Sequence, residues 1–252
     1  MIHPEHEFDE TIVDVRNTQA SSAIVVVCEH ASAHIPAKFG NLGLLGQALN
    51  SHVAWDPGAM AVAAEIANQM DAILIAAKTS RLVYDCNRPP SAPDAMPARS
   101  EIVDVPGNMR LSDAEKEDRV ATYYEPFRAA VSTIMARISN PILVTVHSFT
   151  PIYHGRQRDV EIGILHDKDT RLADALLSHN DTPLLVQRNE PYGPTDGVTH
   201  TLKEHALPAG HLNVMLEVRN DLIRDKAAQD AMAKTLSRLL KKALAKTEAT
   251  QC

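Results

Sequence analysis

At 252 residues with 44% apolar content, the chain suits one large α/β domain, and a single domain over residues 1–252 is the expectation. A net charge of −7, with no basic run except the tail around Lys241, Lys242 and Lys246, argues against binding nucleic acid through counterion release. Three cysteines (Cys28, Cys86, Cys252) without CxxC spacing argue against a disulfide framework or a thiolate zinc site, and no run of about 18 apolar residues indicates a membrane partner.

The opening MIHPEHEFDE lacks the basic and apolar segments of a secretory leader, so a cytoplasmic protein is expected. AIVVVC (23–28) is an uninterrupted apolar run of strand length, and it closes on Cys28, Glu29 and His30. PGAMAVAAEIANQM (57–70) has a helical pattern, with Asp56 just ahead of Pro57, and AILIAA (72–77) is the next strand. The five-proline stretch 89–108 is either a linker or a binding loop. A helical pattern over 111–138 opens with Ser112 and Glu115 in capping-box spacing. PILVTVHS (141–148), EIGILH (161–166), PLLVQ (183–187) and VMLEV (214–218) are further strands, with helices over 168–179 and from about Leu222 to Lys246. Between them, residues 189–210 are expected to wrap the site, with His200 and His205 either assisting there or, as the favoured reading, exposed in that loop. Strands alternating with helices imply a mostly parallel mixed sheet covered on both faces, a three-layer α/β/α sandwich. No GxGxxG or GxxxxGK[ST] fingerprint for nucleotide phosphates is present.

In an open parallel sheet the ligand crevice lies at the carboxyl ends of the strands. His30, His147, His166 and the pair Glu217 and Arg219 all fall at such ends. Two imidazoles and one carboxylate make a hydrolytic zinc site with a position left open. The carboxylate is Glu29 or Asp56. Glu29 and His30 are adjacent and leave an extended backbone in opposite directions, whereas Asp56 has an alternative use as a helix N-cap. Glu217, at the end of a hydrophobic run, is costly to bury unpaired. Either it does chemistry, or it pairs with Arg219 on the same face of the strand.

With VVVCEHAS, WDPGA, SRLVYDCNRP, VTVHSFTP and VMLEVRNDL in this order, the chain resembles the N-formylglutamate amidohydrolase family from about residue 23 to 224. The resemblance implies a phosphorylase/hydrolase-like three-layer fold with one Zn2+ held by His30, Asp56 and His147. It also implies Glu217 as general base and Arg81 at the developing oxyanion. DCNR (85–88) looks like a carboxylate-gripping element, which makes Arg88 and Asn87 the clamp, with Arg219 as a further substrate-binding candidate. Guanidinium suits that task because its planar fork matches a carboxylate; surface ion pairs are the other use for Arg81 and Arg88. The implied substrate is a small N-acyl amino acid such as N-formyl-L-glutamate, cleaved to a short acid and the free amino acid. Two rivals stand beside this reading: a thiol hydrolase built on Cys28, and a metal-dependent binding module without turnover. Monomer and homodimer are both open.

Overall fold

The aliphatic runs form strands of one seven-stranded sheet in the computed structural model, which describes residues 8–251. In chain order the elements are β1 (Val13–Arg16), β2 (Ile24–Cys28), α1 (Ala59–Met70), β3 (Ile73–Ala77), and a small hairpin of β4 (Arg99–Ser100) and β5 (Val103–Asp104). Then come α2 (Asp113–Arg119), α3 (Glu125–Arg137), β6 (Ile142–Phe149), and a second hairpin of β7 (Ile152–Tyr153) and β8 (Arg156–Gln157). The chain closes with β9 (Ile162–Leu165), α4 (Arg171–Ser178), β10 (Val186–Arg188), α5 (His200–His205), β11 (Asn213–Arg219) and α6 (Lys226–Gln251).

The sheet order is β1-β3-β2-β6-β11-β9-β10. β3, β2, β6 and β11 run parallel, while β1 is antiparallel to β3 and β9 is antiparallel to β11. All six expected strands are present, and β1 is additional. It escapes a periodicity search because it is an edge strand of four residues with only Val13 buried.

Alternation along the strands builds two apolar layers. Ile24, Val26 and Cys28 face α1, α4 and α6, together with Val144, Val146 and Leu216. Val25 and Val27 face α3, with Leu143 and Met215. That parity carries past the apolar runs: His147 and Glu217 sit in register on adjacent parallel strands, on the α3 side. The expected helix over 111–138 is α2 and α3 joined by a π turn at Val120–Tyr124, and the Ser112–Glu115 capping box is formed. Gly58 precedes α1 with φ +84°, and a Cβ there would meet the Ile223 carbonyl oxygen at 2.6 Å, so only glycine fits.

Candidate active site

Three polar side chains that the sequence separates by up to 117 positions converge on one point. His147 Nδ1 lies 2.9 Å from Asp56 Oδ2 and 3.2 Å from His30 Nδ1, and His30 Nδ1 lies 3.3 Å from Asp56 Oδ2. His30 arrives from the turn after β2, His147 from the end of β6, and Asp56 from the segment before α1. Asp56 is not the N-cap of α1. Gly58 occupies that position, and the Asp56 carbonyl oxygen accepts the Ala59 N–H. Its carboxylate is thereby left for the crevice, where the Ser148 N–H also reaches it.

Each imidazole is backed by a second carboxylate. His30 Nε2 meets Asp85 Oδ1 at 2.7 Å. His147 Nε2 stands 3.1 Å from Glu29 Oε2, within ion-pair distance although not aligned for a hydrogen bond. The Asp85 hydrogen bond at His30 Nε2 and the Glu29 charge beside His147 Nε2 favour protons on those nitrogens and leave the two Nδ1 lone pairs facing Asp56. Three acceptors facing one another about 3 Å apart repel unless a cation lies between them. Tetrahedral Zn2+ with bonds of ~2.0–2.1 Å needs donors about 3.3 Å apart, so the donor set fits such an ion.

The electrostatics of the cluster favour positive charge at this point. Burial opposes protonation of His147, yet Glu29 and Asp56 overcome it and raise its pKa well above the ordinary value. Burial and Arg81 oppose protonation of His30, and Asp85 and Asp56 overcome them. Burial opposes ionisation of Asp85 and Asp56, but Arg81 and His30 for the first, and the two histidines for the second, hold both well below the usual range. Arg81 donates to Asp85 at 2.7 Å and lies 3.5 Å from Asp56.

Glu217 differs from these carboxylates. Burial pushes it up to about 7, and its Oε2 is buried with no hydrogen-bond partner among the described residues. Space beside it is kept by Gly163, its register partner on β9, where a Cβ would fall 2.0 Å from the Glu190 carbonyl oxygen and 3.1 Å from Glu217 Cβ.

His30, Asp56, Arg81, Asp85, His147 and Glu217 line a cavity of about 560 Å3. Asp94, Arg99 and Glu101 of the proline-rich stretch and Tyr192 and Val198 of the 189–210 segment line it too. The first of these segments is therefore a cavity-lining loop and not a linker. Arg88 lines the cavity with Nε donating to Asp94 and Nη1 to the carbonyls of Asn87 and Gly197, which leaves Nη2 without a hydrogen bond among the described residues. Asn87 also lines it, but its amide is spent on Val198 and Thr201.

A match to the N-formylglutamate amidohydrolase family model extends over residues 22–224. The chain belongs to the N-formylglutamate amidohydrolase family. Its enzyme class is accordingly that of a hydrolase of the N-formylglutamate amidohydrolase type. The crystal structure of gene product Atu2144 from Agrobacterium tumefaciens is 53% identical, with a TM-score of 0.92, covering 96% of this chain and 99% of that one. N-formylglutamate amidohydrolase from Ralstonia eutropha JMP134 shares the fold at 18% identity and a TM-score of 0.56, covering 91% of this chain and 95% of that one. No curated protein matches the chain.

Other residues singled out in the sequence lie away from the cavity of this amidohydrolase fold. Arg219 is taken up by Asp221 and Glu161 and by the carbonyls of Arg158 and Asp159, and it pairs with neither Glu217 nor the cavity. His166 ends β9, but β9 is antiparallel to β11, so it lies beside the start of β11 and not its end, where it meets Asp167 and Arg188. His200 and His205 are on α5 and not in an exposed loop, and they contact Tyr124 and Ser132. Cys28 is in the core beneath α1, where burial pushes its thiol pKa well up, opposite to what a nucleophile needs. Sequence reasoning missed Asp85, although the DCNR element that contains it was in view.

Proposed function

We propose that the chain is a zinc-dependent amidohydrolase that cleaves the N-acyl amide of an acidic amino acid, with N-formyl-L-glutamate as the reference substrate. The observation that carries this reading is the convergence of His30, Asp56 and His147 beside the unpartnered Oε2 of Glu217. His30, Asp56 and His147 would hold the ion. Bound there, it would supply Lewis acidity toward water and the scissile carbonyl.

The chain's own residues then divide the work. Glu217, with a pKa near neutrality, takes a proton from the attacking water and returns it to the departing nitrogen. Arg81, fixed by Asp85, offers positive charge to the tetrahedral oxyanion. Arg88 presents its free Nη2 to the amino-acid carboxylate and so orients the amide. Asn87 braces the 198–201 backbone behind that contact.

One preparation tests the proposal: bound metal is measured, then amine release from N-formyl, N-acetyl and larger N-acyl derivatives of glutamate and aspartate. The expected result is about one equivalent of zinc, with amine release that is abolished by chelation and restored by zinc. Full activity in a metal-free, chelator-treated sample would overturn it.

A further inference from the structure

Four arginines line the cavity: Arg81, Arg88, Arg99 and Arg158. Three are matched by carboxylates of the protein, Arg81 by Asp85 and Asp56, Arg88 by Asp94, and Arg99 by Asp104. Among the described residues none pairs with Arg158. Its guanidinium is held by aromatic rings instead, with Cζ 4.2 Å from the Tyr153 centroid, 4.7 Å from Tyr192 and 5.6 Å from Phe149. Its guanidinium also donates a long hydrogen bond from Nη1 to the Thr150 carbonyl at 3.4 Å and interacts with the Tyr192 phenol.

Ring faces attract and immobilise a cation without consuming the N–H groups at the guanidinium edge. A half-buried arginine fixed in this way is preorganised for a bidentate anion. Tyr192 connects it to the chemistry, because Glu217 and Arg158 both act on the Tyr192 phenol. The rings come from three places, the end of β6, strand β7 and the 189–210 segment, so the cation is built in by the fold and not carried on one flexible loop.

We propose that Arg158 is the specificity-determining residue that reads a second carboxylate on the substrate, that of an acidic side chain, while Arg88 holds the first. This rests on the N-acyl amino acid reading above. It makes the preferred substrate a dianion and disfavours the amide analogue, which has the same shape and lacks the charge.

The test compares N-formyl-L-glutamate with N-formyl-L-glutamine on the zinc-loaded wild type, Arg158→Gln, Arg158→Lys and Arg88→Gln. In the wild type, kcat/KM favours glutamate, and Arg158→Gln reduces that ratio by about 30-fold or more. Arg158→Lys, which keeps the charge without the fork, reduces it in part and carries the test if Arg158→Gln does not fold. Arg88→Gln lowers both substrates together and preserves the ratio. A ratio unchanged in both Arg158 variants, or lost only in Arg88→Gln, overturns the proposal.

Calorimetric titration with L-glutamate and L-glutamine separates this from the function reading, since it needs no turnover. Tighter glutamate binding that disappears in Arg158→Gln supports the anchor even if no formyl compound is cleaved. Equal binding of the two amino acids to the wild type overturns it.

Discussion

Glu29 and His30 are consecutive in the chain and reach opposite nitrogens of the same ring: Glu29 Oε2 lies 3.1 Å from His147 Nε2, and His30 Nδ1 lies 3.2 Å from His147 Nδ1. The opposite directions taken by neighbouring side chains at a strand end are what allow one dipeptide to approach both nitrogens of one imidazole.

Glu29→Gln replaces the charged group behind His147 with a neutral one and weakens its hold on the ring's tautomer. Zinc affinity should fall by about 10–100-fold. Competition with a chromophoric chelator measures it; an unchanged dissociation constant would show that Glu29 does not govern the ring.

Glu217→Gln preserves shape and leaves His30, Asp56 and His147 untouched. Zinc stoichiometry should stay the same while kcat falls by about 10²–10⁴-fold. Wild-type kcat in this variant would remove Glu217 from proton transfer.

Metal removal leaves four carboxylates, Glu29, Asp56, Asp85 and Glu217, packed around two imidazoles and Arg81. The melting temperature should drop by on the order of 5–10 °C relative to protein with free zinc at a hundred times its Kd. Calorimetric scans before and after chelation give the comparison, and coincident transitions would speak against a bound ion.

His205 contributes a pH dependence of folding. Burial, opposed by Glu204, moves its pKa down to about 4 from an ordinary value of 6.5. Between those values the unfolded chain binds a proton that the native protein does not, so stability falls as pH drops from 6.5 toward 4 and is restored above 6.5. Urea melts across that range should be steeper in pH for the wild type than for His205→Asn, by up to about 1 kcal/mol per pH unit. Parallel slopes would mean that the imidazole titrates alike in both states.

Gly163→Ala drives a methyl group into the Glu190 carbonyl and toward Glu217. A loss of about 2 kcal/mol or more in stability is expected from such overpacking, with reduced turnover from a displaced Glu217. Denaturant titration and initial rates together report it.

Much of this was legible in the sequence because buried parallel strands are long aliphatic runs, and the ends of those runs mark the crevice. That rule leads to His30, His147 and Glu217, whereas Asp56 comes from the family resemblance, and the Gly58 turn removes its competing use as an N-cap. The same rule misplaced His166, because strand direction is not written in an apolar run and β9 is reversed. Arg219 shares strand parity with Glu217, but parity fixes only the side from which a chain leaves; its length let it reach Asp221 and Glu161. Asp85 acquires its place by meeting His30, and Arg158 by meeting Tyr192, contacts between segments far apart in sequence for which no local pattern exists.

Glu101 accepts the His154 N–H at 2.9 Å and sits 2.7 Å from His52 Nε2, so one carboxylate fastens the β4–β5 ribbon to the β7–β8 hairpin at the cavity rim. The entrance consequently behaves as a single frame and not as two independent flaps. Any displacement of the hairpin bearing Tyr153 is passed to the strip bearing Arg99, and the width of the mouth is set jointly by both.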